Sequence, residues 1–358
     1  MTARPGRVRL ARLTDLAALG ELSRLSHRAH PDGDITVRSL GLPVQASHVS
    51  VFSLFRMPLG AFQPNDPLYV YDQDGRLAGL ARADRDSARD EWTIVELDAV
   101  DQGEAGDIRF RLVNHLLRDG SKRGAARFHV ACADEDDNVE LFMQAGFARY
   151  GEETILHRAD DEPWPELPDD ATAARRGIRP AVPLDALPLN ALYRSVTPAP
   201  VARLEDYRLP EWERVPSGSR IPRSSLTPIL RFADVEVMVQ EGPSGAGGRQ
   251  ELAALIQVGV AKEDQPHYLR VLCRPEHDPT ELIAYGLAMI GDRSGEASRR
   301  RGHGAGYHGV LTAVRTYEAP LDRRLEEAGF RAVARVSLLL KEALVRVAEP
   351  ALVPAGVR

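Results

Sequence analysis

The chain has 358 residues, of which 43% are hydrophobic and 27% charged, a length and balance that predict two globular domains, each able to bury its own core. A formal net charge of −6, from 46 basic against 52 acidic residues, argues against a nucleic-acid partner, and no apolar run approaches the ~18 residues that cross a bilayer. Cys132 and Cys273 stand 141 positions apart, too far for CxxC spacing or a disulfide framework, which fits a reducing, cytoplasmic setting and no metal.

In chain order, Val8–Leu10 predicts a short strand, and Asp15 opens a helix after it. A proline-interrupted middle leads to a hairpin, Leu68–Tyr71 and Leu77–Ala81, whose Asp74-Gly75 supplies the positive backbone angles of a tight turn. Trp92–Val100 follows as a central strand, then a helix over about 108–121, a strand at Arg127–Cys132, a helix at Asn138–Ala145 and a last strand at Tyr150–His157. Pro163, Pro165 and Pro168 among six acidic residues make 158–176 read as a linker.

After the linker the order repeats. Ile178–Leu189 matches Val8–Leu19 at an offset of 170, and Leu325–Phe330 echoes Phe142–Phe147 at an offset of 183. Between them come Val235–Gln240 and Glu251–Val260 as a hairpin with a glycine-rich loop, a strand at His267–Cys273 and a helix over about 279–292. Gly309–Arg315, Pro320–Ala328 and Ala332–Lys341 close the half as strand, helix and strand. The expectation is a mixed α/β (α+β) protein of two similar domains, 7–157 and 177–343, each a twisted sheet flanked by helices, with a tail at 344–358.

The shared order of elements, the Arg9-Leu10-Ala11-Arg12-Leu13-Thr14-Asp15 opening and the Ala-Gly-Phe near each end resemble the GNAT superfamily of acyl-CoA N-acyltransferases in tandem. The resemblance implies that the fourth and fifth strands of each half splay to admit acetyl-CoA or another acyl-CoA, with its pyrophosphate at the next helix's N-terminus. Carried onto this sequence, the cofactor positions are Val100, Gln102, Gly103 and Gly106 in the first half and Cys273 and Arg274 in the second. Ala105 and Asp107 stand at the family's glycine-type positions, and Asp278-Pro279 starts the second half's helix as a self-capped one. Arg301–Gly306 matches the family motif but reads by its spacing as the loop before a strand.

For chemistry, Glu96 and Asp98 fall by strict alternation on one face of the fourth strand, beside Trp92 and Ile94, and are candidate bases. The tyrosine that the family uses as an acid is replaced by Phe142 and Leu325. Tyr193 and Tyr207 to Trp212 read as acceptor-binding helices or as core, and Arg299–Arg301 as a solvated loop. His27, His30, Asp32 and Asp34 read as a solvated helix end. The expected activity is acyl transfer to a small-molecule amine by a monomeric pseudo-dimer or a homodimer. A second reading stays open, a catalytically degenerate binding or regulatory module.

Overall fold

The computed structural model describes residues 6–26, 28–29, 35–37, 40–45, 66–86, 88–100, 105–135, 137–218, 221–242, 251–262, 265–301, 309–318 and 320–343. Strand β1 (Arg7–Leu10), helix α1 (Leu16–Ser26) and a small three-stranded sheet of β2 (Arg28–Ala29), β3 (Ile35–Val37) and β4 (Pro43–Gln45) begin the chain. Then come β5 (Leu68–Gln73), β6 (Arg76–Asp86), β7 (Glu91–Ala99), α2 (Ala105–Lys122), β8 (Arg127–Cys132), α3 (Asn138–Gln144) and β9 (Ala148–Arg158). The second half runs through α4 (Asp170–Arg175), β10 (Ile178–Pro180), α5 (Ala186–Val196), α6 (Ala199–Glu205) and α7 (Leu209–Glu213). It ends with β11 (Phe232–Glu241), β12 (Leu252–Ala261), β13 (His267–Cys273), α8 (Thr280–Arg301), β14 (Val310–Arg315), α9 (Pro320–Glu327) and β15 (Arg331–Glu342).

Twelve strands form one continuous sheet in the order β1-β5-β6-β7-β8-β15-β9-β14-β13-β12-β11-β10. At its centre the final strands of the two halves are exchanged: β9 pairs with β14, and β15 fills the place beside β8. The shared core therefore crosses from one half to the other through backbone hydrogen bonds.

Local chemistry explains the elements. Asp74 and Gly75 both carry positive φ, 51° and 83°, as the two-residue turn between β5 and β6 requires. On α2, Ile108, Leu112, Val113, Leu116 and Leu117 recur at helical spacing and are buried against the sheet face that holds Trp92 and Phe128. All ten residues of β12 are buried, because α5 covers the face holding Leu255 and α8 the face holding Ile256.

The repeat seen in sequence is repeated in contacts. Arg9 Nη1 reaches Asp15 at 2.7 Å and Arg9 Nε reaches Asp72 at 3.0 Å. In the second half Arg179 does the same with Asp185 and Glu241, both at 2.8 Å. Asp15 and Asp185 each also cap the turn that opens the helix, accepting from the N–H of Arg12 and of Val182.

Two expectations change. The proline-rich stretch at 158–176 is irregular through 159–169, but Trp164 lies under the Arg158 guanidinium and against Gly291, and Asp169 caps α4, so the segment is docked on the second half. Helix α8 runs on through Gly286, Gly291 and Gly295 to Arg301, making Arg299–Arg301 helical rather than a loop; no proline interrupts it. His27, His30, Asp32, Asp34 and Gly302–Gly306 lie outside the described residues.

Candidate active site

Two parallel strand pairs part company, one in each half. The β7–β8 ladder runs from Glu91–Arg127 to Ile94–Val130 and stops, although β7 continues to Ala99. The β13–β14 ladder stops after His267–Val310 and Tyr268–Leu311, although β13 continues to Cys273.

The first split has a local cause. Arg82 of β6 faces Glu96 while Ala83 faces Ile94, so Val95 is an extra residue, a β-bulge that bends β7 where its pairing with β8 ends. The bulge also corrects the expected placement of the two carboxylates. Strict alternation puts Glu96 and Asp98 beside Trp92 and Ile94; the extra residue moves them to the opposite face, with Glu91, Thr93 and Arg82. There Glu96 is 7% exposed and accepts from Arg82 Nε at 3.0 Å, and Asp98 is 3% exposed. Strand β13 pairs with β12 in unbroken register and has no such bulge.

The chain matches solved structures throughout its length. A GCN5-related N-acetyltransferase from Sphaerobacter thermophilus superposes with a TM-score of 0.54 at 15% identity, over 96% of this chain and 97% of that one. A tandem GNAT protein from the clavulanic acid biosynthesis pathway superposes with a TM-score of 0.50 at 14% identity, over 94% and 98%. This is a tandem GNAT fold. No protein-family profile matches the chain, and no curated protein matches it by sequence.

The two GNAT splits differ in what lies inside them. In the second, the Arg270 guanidinium reaches from β13 to β14, donating to the Ala313 carbonyl at 3.3 Å and to both oxygens of Glu318 at 2.7 and 2.9 Å. Arg270 and Glu318 are 2% and 3% exposed, so a buried ion pair stands where an inserted chain would run, and the residues do not fit a cofactor there. Arg274, expected to touch cofactor, donates to the Leu252 carbonyl and pairs with Glu251, while Cys273 contacts the carbonyls of Arg274 and His277. At the start of α8, Asp278 accepts from the backbone and hydroxyl of Thr280, the self-capping read from sequence.

The first split is bordered by Leu40-Gly41-Leu42, whose Leu40 carbonyl accepts from Ala133 N–H at 2.7 Å just past β8. Gly41 has φ +73°, and a Cβ there would stand 2.3 Å from Ala133 Cβ. Gly41→Ala is therefore expected to cost about 1–3 kcal/mol in urea unfolding, from strain plus overlap. Gly106 near the start of α2 has open space around it, Asp107 turns aside to Arg111 at 2.8 Å, and Val100 donates back to Ala78 of β6. Gln102 and Gly103 lie outside the described residues. Cys132, at the end of β8, is held inert by burial, which pushes its thiol up to about 12.

On the carboxylate face, the split opens on a cavity of about 20 Å³, room for about one water, lined by Thr93, Val95, His129, Tyr150 and Arg223 among others. Much of its wall comes from the second half. Leu226 and Leu230 are buried in the first half's core, Ser225 N–H donates to Glu153 at 2.9 Å, and Arg231 reaches Asp66 at 3.3 Å. Phe142 is fully buried in the core against Phe147. Tyr150 was not singled out in the sequence; its phenol is pushed up to about 12 by burial and stays protonated at neutral pH. The only sequence signal for it was its place three residues after Gly146-Phe147. Tyr193, Tyr207 and Trp212 form one buried aromatic cluster, with ring centroids 5.2–5.8 Å apart, and are core.

Proposed function

We propose that the first half is an acyl-CoA-dependent N-acyltransferase acting on a small-molecule amine by direct attack, and that the second half is its scaffold and supplies part of the acceptor wall. The observation that carries the reading is the bulge at Val95, which the first half's split has and the second's lacks, at a point where carboxylates line one face. The stretch of β7 that runs on past its ladder with β8, the Val100 that follows it and the start of α2 with Gly106 would hold the cofactor. When bound, the thioester supplies an activated acyl group: a C–N bond forms, the C–S bond breaks, the amine loses a proton and the thiol gains one.

Glu96 or Asp98, through water, would take the amine proton, and Tyr150 is the candidate donor to the departing thiolate. Both buried cysteines are held as thiols, Cys273 also being pushed up to about 12, which supports direct attack over a cysteine-linked intermediate. The second half, with Arg270 and Glu318 in its split, supports the degenerate reading for that half alone.

Isothermal titration with acetyl-CoA tests this. The wild type is expected to give saturable heat, Gly106→Glu to lose it by placing a carboxylate at the anion end of α2, and Arg274→Ala to leave it unchanged. No heat at millimolar acetyl-CoA overturns the proposal. If transfer is measured, Tyr150→Phe is expected to lower kcat by ~10²-fold with little change in KM, as loss of a proton donor does.

A further inference from the structure

The acceptor side of the first split already holds a cation. Arg223, from the second half, donates to Thr93 Oγ1 at 3.3 Å and forms a close ion pair with Glu91. Both partners are on β7 immediately before the bulge, on the face that carries Glu96. The Glu91 carboxylate is 2% exposed and also meets Arg89 at 3.1 Å and Arg127 at 3.6 Å. Beside it His129, 4% exposed, lines the same cavity, with its Nε2 3.4 Å from Glu91 and its Nδ1 without a hydrogen-bond partner among the described residues.

The cavity beside Arg223 is too small for an acceptor, so a substrate on this face must displace that side chain. A neutral molecule that did so would leave the buried Glu91 carboxylate with Arg89 and Arg127 but without its nearest counter-charge, which is unfavourable. A molecule that brings its own guanidinium or ammonium group restores the balance. We infer that Glu91 and Thr93 form a cation seat at the acceptor end of the first split, occupied by Arg223 when no substrate is bound. The acceptor is then a diamine-type molecule, with one amine to be acylated and a second, positively charged group that replaces Arg223. The substrate class rests on the transferase reading; the cation seat does not.

Two measurements separate them. Without any acyl-CoA, ethylguanidinium is titrated into Arg223→Ala, with Arg223→Gln as the second variant should the first fail to fold. Saturable binding and a raised Tm are expected, with at least ten-fold weaker binding to the wild type and to Arg223→Ala/Glu91→Gln. Neutral ethylurea is expected not to bind. Equal binding of ethylurea, or no binding of ethylguanidinium to a folded variant, overturns the seat.

In the second measurement, thiol release from acetyl-CoA is followed with agmatine and with butylamine, which share the primary amine and differ in the guanidinium. A kcat/KM at least ten-fold higher for agmatine supports the inference. Equal use of both overturns it while leaving the transferase reading intact, whereas failure of acetyl-CoA to bind removes that reading and leaves the seat to the first measurement.

Discussion

Replacing Arg315 with methionine is expected to destabilise the protein by about 3–5 kcal/mol, read as a lower urea midpoint, the largest loss anticipated for any single substitution described above. Arg315 is 2% exposed, with Nε 2.6 Å from Glu153 of β9 and Nη2 2.8 Å from Glu205 of α6; Nη2 also donates to the Arg223 carbonyl at 3.0 Å. It thus joins the exchanged strand of the first half to two segments of the second. Methionine fills similar volume, so the cost comes from two buried carboxylates that lose their shared counter-charge.

The same argument predicts recovery. In Arg315→Met/Glu153→Leu/Glu205→Leu no charge is left stranded, and much of the lost stability is expected to return. A triple variant no more stable than the single one would show that the network contributes through hydrogen bonds to Ser225 N–H and Tyr193 Oη rather than through charge balance. As a reference, Arg323→Ala removes an ion pair whose arginine is 83% exposed and is expected to change almost nothing.

The second large effect is acid lability above pH 4. Burial holds His129 and His267 down to about 4, against about 6.5 in an unfolded chain. Between those values the unfolded chain binds protons that the folded one refuses, so stability falls as pH drops from 7 toward 4, by about 3 kcal/mol for each histidine. His267 shows why the refusal is firm: its Nδ1 accepts from Ala261 N–H at 3.0 Å and its Nε2 faces Ser294 Oγ at 3.0 Å, so a second proton would break the first bond.

Glu91 acts in the same direction. Its desolvation is outweighed by His129, Arg223 and Arg89, which together hold the carboxyl well below the usual range, so its contribution is present above about 4.5 and lost as pH falls below that. Urea midpoints at pH 7, 5.5 and 4.5 measure the histidine part, above the range where the Glu91 contribution is lost, and His267→Gln is expected to flatten the slope. A midpoint that stays level between pH 7 and 4.5 would refute the assignment.

Chain order and local pattern alone determined a good deal. The Asp74-Gly75 turn, the apolar stripe of α2 and the Arg9–Asp15 opening repeated at Arg179–Asp185 depend on residues near one another in sequence, and each was legible there. So was the resemblance to a GNAT tandem, which is an order of elements.

The site was not legible in the same way. A one-residue bulge at Val95 leaves no mark in an alternating pattern, yet it turned Glu96 and Asp98 to the other face, because strand periodicity reverses with each inserted residue. The exchange of β9 and β15, the Arg270–Glu318 pair inside one split and the Arg223–Glu91 pair across the other all join residues at least 48 positions apart. An arginine that is solvated on one fold is a buried counter-ion on another, and only the packing of the two halves decides which.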